Sequence, residues 1–314
     1  MSIFSPMNYS APSANVPQRN PRPQRYWGTM LIALVISSLG LQAKEAAGPI
    51  LSATESALSY YDEAALKTAD TYQKEQCKLD IVHPTNHPGF ATFVWFHGGG
   101  LTEGTRYVLD LKNPEIACVA VSYRLSPKAE LPSFLDDAAA STAWVIRNIE
   151  KYGGDPKKVF VAGHSAGGYL AAMIGMDPKW LAKQGVSNQQ LAGIIPVSGQ
   201  MTTHFQVKKL RGDTGDSLRP LIDEYAPLYY VSKDLPPICL ITGDRRVEFK
   251  SRVEENSLLA VTLCNLGNPQ VEFYEMGGLN HSTVVQGATV ILPQFIKTVS
   301  AQIDAKIQPK PGTK

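Results

Sequence analysis

Val159-Phe160-Val161-Ala162-Gly163-His164-Ser165-Ala166-Gly167-Gly168-Tyr169-Leu170-Ala171-Ala172 is the stretch on which the reading of this chain turns. A short apolar and β-branched run meets a glycine-flanked serine, and an apolar run rich in alanine follows without a spacer. That order predicts a strand, a very tight turn and a helix, with the serine hydroxyl raised above the sheet. Glycines flank the serine because such a turn leaves no room for side chains. The serine would also sit at a helix N-terminus, where free N–H groups and the helix dipole favour negative charge. Ser165 is therefore the candidate nucleophile.

Upstream, Phe93-Val94-Trp95-Phe96 runs into His97-Gly98-Gly99-Gly100. Glycines let backbone amides face a reacting carbonyl closely, and preorganised N–H donors stabilise the oxygen on which charge develops. The candidate donors are the N–H groups of Gly98, Gly99 and Ala166. A serine also needs a base. Of the six histidines, only His281, in Gly277-Gly278-Leu279-Asn280-His281, is expected in a loop between the last strand and the last helix. That position lies over the carboxyl edge of the sheet, where open α/β sheets bind ligands. The acid should follow the strand Ile238–Thr242, in Gly243-Asp244-Arg245-Arg246-Val247-Glu248-Phe249. Asp244 and Glu248 are both candidates, and the longer side chain gives Glu248 the greater reach.

From Cys77 onward, seven apolar or β-branched runs alternate with four helical patterns: Phe134–Tyr152, Gly168–Met176, Arg252–Leu266 and Thr283–Ile307. The expected strands are Gln76–Val82, Ala91–Phe96, Ile116–Ser122, Val159–Ala162, Ala192–Val197, Ile238–Thr242 and Val271–Glu275. This alternation predicts one α/β domain over 75–307, a mostly parallel central sheet with helices on both faces. Residues 44–74 read as a helical lead-in, and 308–314 as a short tail. The connection Ser198–Pro236 is long enough to read as a small lid insertion at a binding site.

Lys and Arg total 30 against 28 Asp and Glu, a net charge of +2, which argues against a nucleic-acid partner. Residues 1–43 carry Arg19, Arg22 and Arg25 ahead of the apolar run Met30 to Leu41. The run is shorter than the roughly 20 residues of a membrane-spanning helix, so export by a signal peptide is expected, with an uncleaved membrane anchor as the alternative. Four scattered cysteines show no metal-ligand spacing.

The residues His97–Gly100, Ser122-Tyr123-Arg124-Leu125-Ser126-Pro127, Asp136-Asp137-Ala138, Gly163–Gly168 and His281 resemble the esterase/lipase branch of the α/β-hydrolase superfamily, near hormone-sensitive-lipase-like and feruloyl-esterase-like proteins. The resemblance spans about 75–305. It implies an α/β-hydrolase fold, a Ser, acid, His order, an oxyanion hole from the glycine loop, no cofactor, and hydrolysis of carboxylic esters; the expected export adds esters on polysaccharides to small-molecule esters as substrates. One departure stands out. The family's acid usually lies three residues after the glycine that ends the strand, and Arg246 occupies that position, with Asp244 and Glu248 on either side.

Overall fold

A computed structural model describes residues 48–307; the segment read as an export signal and the tail 308–314 lie outside the described residues. Eight strands form one sheet: β1 (Ser52–Ser59), β2 (Lys78–Pro84), β3 (Phe90–Phe96), β4 (Ile116–Val121), β5 (Gly154–His164), β6 (Gly193–Val197), β7 (Ile238–Gly243) and β8 (Val271–Met276). Their order across the sheet is β1-β2-β4-β3-β5-β6-β7-β8. β2 runs antiparallel to both of its neighbours, and every pair from β4 to β8 is parallel.

The parallel centre follows from sequence. β3, β4, β6 and β7 are buried along their whole length, as strands covered on both faces must be. Alternation then sorts each strand between two cores. Val94 and Phe96 face one layer with Leu135, Tyr169, Leu170, Leu259 and Leu263. Phe93 and Trp95 face the other, with Leu109, Leu111, Leu292, Phe295 and Ile296.

The expected lead-in helix is corrected by the structure. Residues 52–59 are the edge strand β1, and only then come two short helices, α1 (Glu63–Thr68) and α2 (Thr71–Gln76), capped by Asp62 and Asp70. The run Ser-Ala-Thr-Glu-Ser-Ala-Leu-Ser is mostly exposed, so it shows no apolar alternation; pairing with β2 makes it a strand. A bulge between Glu55 and Leu58 is held by the Asp80 carboxylate, which accepts the Ala57 N–H at 2.7 Å.

The remaining helices are α3 (Ser133–Asn148), α4 (Ala166–Met176), α5 (Pro178–Lys183), α6 (Phe205–Leu210), α7 (Arg252–Leu266) and α8 (Val284–Ile307). Side chains of α3, α4 and α7 fill the first layer and those of α8 the second. On α3, the fully buried Asp137 accepts the Arg124 N–H (2.8 Å), the Arg124 guanidinium (2.7 Å from Nη2) and the Tyr61 hydroxyl (2.6 Å). It therefore joins the segment after β4, α3 and the residues after β1. All four cysteines are free thiols, and Cys77, Cys118 and Cys239 are buried. Burial pushes Cys118 up to about 12.

The Ser198–Pro236 segment is a fixed wall at its start. Residues 198–204 are buried, Met201, Val207 and Leu228 enter the first core, and the Tyr169 hydroxyl donates to the Tyr225 carbonyl at 2.9 Å. Only 209–224 are largely exposed.

Candidate active site

β5 turns into α4 at Ser165, whose φ of 55° and ψ of −115° place a non-glycine residue in a strained backbone region. The strain is locked from both sides. The Ser165 N–H donates to the Val197 carbonyl at 2.8 Å, and its carbonyl accepts from Tyr169 N–H at 3.0 Å. A Cβ on Gly163 would stand 2.4 Å from the Gly167 backbone, and one on Gly167 would stand 2.0 Å from the Phe96 carbonyl oxygen. Both glycines are therefore required by close approach, and the crossing chains leave the Ser165 hydroxyl at the carboxyl edge of the sheet.

His281 lies between β8 and α8. Its Nε2 accepts the Ser165 hydroxyl at 2.8 Å and its Nδ1–H donates to Glu248 Oε1 at 2.5 Å. The carboxylate thus fixes the tautomer that leaves Nε2 free to take a proton. Glu248 is fully buried at its side chain, while His281 is 25% exposed, so the relay opens to solvent at the histidine. Glu248 Oε2 also accepts the Ser198 hydroxyl (2.7 Å) and the Gly243 N–H (2.8 Å), and Oε1 the Phe249 N–H (2.7 Å). Burial alone would raise this carboxyl, but the hydrogen bonds from His281, Ser198 and Phe249 outweigh it and bring it down to about 2.

Of the two candidate acids, the structure brings Glu248 to His281 and takes Asp244 elsewhere. Asp244 accepts the Gly278 N–H at 2.8 Å, pairs with the exposed Arg246, and donates its own N–H to the Leu279 carbonyl at 2.7 Å. It holds the loop that carries His281 without touching the imidazole. The hydrogen bonds from Arg246 and Gly278 keep its carboxyl well below the usual carboxylate range.

Gly98 packs against the serine: a Cβ there would come within 3.4 Å of Ser165 Cβ. Among the described residues no hydrogen bond engages the N–H of Gly98, Gly99 or Ala166. The loop is shaped by His97, whose Nδ1–H donates to the Gly98 carbonyl at 2.7 Å and whose ring stacks on Tyr123 at 4.4 Å. The Tyr123 hydroxyl in turn donates to the His97 carbonyl at 2.7 Å.

Sequence reasoning passed over Ser198 and Phe249 and reached Phe205 only as an apolar residue of the connection Ser198–Pro236. Ser198 follows β6 directly and so reaches the same sheet edge as Ser165 and Glu248, a signal available in the sequence. The Phe249 ring stands 5.6 Å from the His281 ring, and Phe205 lies against Gly100. Neither contact has a sequence signature.

The BD-FAE family model matches residues 79–252, more than half of the chain. Esterase LipC of Mycobacterium tuberculosis is 26% identical over 204 residues, 60% of this chain and 50% of that one. Carboxylesterase NlhH of the same species is 35% identical over 100 residues, 29% of this chain and 30% of that one. The alignment with LipC thus spans about half the length of that relative. Among solved structures, esterase B of Lactobacillus rhamnosis superposes with a TM-score of 0.63 at 22% identity, covering 81% of this chain and 89% of that one. A truncated carbohydrate esterase from gut microbiota gives 0.59 at 16% identity, covering 81% and 99%. Those two likenesses bear on the fold, which is that of an α/β-hydrolase. With the family model matched from β2 to the start of α7, the chain belongs to the BD-FAE family, in the esterase/lipase branch of the α/β-hydrolase superfamily.

Proposed function

We propose that the protein hydrolyses carboxylic esters through an acyl-enzyme on Ser165. The observation that carries this reading is the unbroken relay Ser165–His281–Glu248, with contacts of 2.8 and 2.5 Å, set beside unengaged N–H groups of the glycine loop. His281 Nε2 takes the hydroxyl proton as Ser165 Oγ bonds to the ester carbonyl carbon. The carbonyl π electrons move to oxygen, which faces the N–H groups of Gly98, Gly99 and Ala166. Glu248 stabilises the imidazolium without taking its proton. Collapse of the tetrahedral centre breaks the bond to the alcohol oxygen, which receives the proton from Nε2. Water, deprotonated by the same nitrogen, then releases the acid and restores Ser165.

The named activities of the relatives support small esters as the substrate class. Esters attached to polysaccharide are a finer reading that rests on the expected export of the chain and on the resemblance to feruloyl-esterase-like proteins. A p-nitrophenyl acetate assay with a fluorophosphonate label tests the proposal. Wild-type protein is expected to turn over and to be labelled, and Ser165→Ala to do neither while remaining folded. Near-wild-type turnover by Ser165→Ala would overturn the assignment.

A further inference from the structure

His281 is tied at a third polar atom that the reaction does not use. Its backbone carbonyl accepts a hydrogen bond from His164 Nε2 at 2.7 Å. His164 immediately precedes the nucleophile, so the bond runs directly between the turn that holds Ser165 and the loop that holds its base. A carbonyl can only accept, so Nε2 carries the proton and Nδ1 is bare. Nδ1 faces Gly98, where a Cβ would lie 3.2 Å away. The two imidazole rings stand 4.8 Å apart, tilted by 43°.

The loop needs this anchor. Gly277 and Gly278 precede the base, and Gly278 has a φ of +80°, a backbone that is cheap to bend. Asp244 fixes the loop at Gly278 and Leu279, and Thr283 caps Asn280 through its hydroxyl at 2.9 Å. At His281 itself the only backbone hydrogen bond found among the described residues is the one from His164. Without it, the main chain of His281 would be held only through its neighbours Leu279 and Asn280, and the ring only by two side-chain contacts, one of which must loosen each time a proton moves to Nε2.

We propose that His164 is a positioning residue for this hydrolase, which holds the main chain of His281 so that Nε2 stays in register with Ser165 Oγ through both halves of the reaction. The inference rests on the esterase reading above. Burial, together with the neighbouring His281 ring, brings His164 down to about 4, so the anchor stays neutral in ordinary assay conditions and adds no charge against the imidazolium.

The test compares His164→Leu, which removes the donor, with His164→Gln, whose amide N–H reaches about as far as Nε2. Each is measured for kcat and KM on p-nitrophenyl acetate, for thermal unfolding, and for the far-downfield proton resonance of the His281 Nδ1–H bonded to Glu248. His164→Leu is expected to lose roughly 10- to 100-fold in kcat, the scale of a small misplacement of reacting groups, with KM little changed. Its downfield resonance should broaden or shift, and His164→Gln should restore both. Wild-type kcat and an unmoved resonance in His164→Leu would overturn the proposal. Equal losses in both variants, tracking a lowered unfolding temperature, would overturn it too, since that pattern marks folding rather than register. If wild-type protein hydrolyses no ester, the esterase reading fails by itself, and the resonance still decides what His164 does.

Discussion

Glu248 accepts hydrogen bonds from His281, Phe249, Ser198 and Gly243, and no carboxylate at position 244 could reproduce that set. Glu248→Gln is expected to lose about two or more orders of magnitude in turnover, because an amide both removes the charge and turns N–H groups toward existing donors. Asp244→Asn should cost about tenfold or less, since it disturbs the loop and leaves the imidazole bonded. Single-turnover rates on an activated ester measure both, and the reverse ranking would make Asp244 the acid. The carboxyl is held low, so its contribution to stability is complete above the ordinary Glu value of about 4.3 and is lost as pH falls through about 2. Ser165, His281 and the glycine loop were legible because each sits in a motif with a fixed place relative to a strand. The acid was not, because Arg246 stands where it is usual and only the path of the loop, pinned at Asp244 N–H to Leu279, shows which neighbour turns inward.

At the scale of elements, the seven strands β2 to β8 could be read from apolar or β-branched runs, most plainly β3, β4, β6 and β7, which are buried on both faces. β1 could not, because an exposed edge strand carries no such pattern and is specified by its partner. The connection that begins at Ser198 reads as a lid from its length, and its apolar residues Phe205 and Leu210 sit differently. Phe205 at the start of α6 lies against Gly100, whereas Leu210 at its end is 37% exposed. Phe205→Ser is expected to shift acyl-chain preference several-fold across a panel of p-nitrophenyl esters, acetate to octanoate, while Leu210→Ser leaves the profile unchanged. A profile unaffected by Phe205→Ser would remove α6 from substrate selection.

For the whole molecule, one carboxylate outside the relay carries a large structural share. Asp137 is fully buried at its side chain and joins Arg124, Tyr61 and the first core layer. Removing one partner of such a pair strands the other charge, typically at about 3–5 kcal/mol. Asp137→Ala should therefore unfold at a clearly lower denaturant midpoint than wild type, with Arg124 left unpaired; a midpoint within error of wild type would show the pair to be dispensable. Three of the four thiols are buried as well, and Cys264 on α7 is the only one partly open to solvent. A thiol-reactive dye or cross-linker added to the native protein therefore has a single address, on the outer side of one helix. Reducing buffer, by the same token, has no covalent link between the described parts of the chain to break.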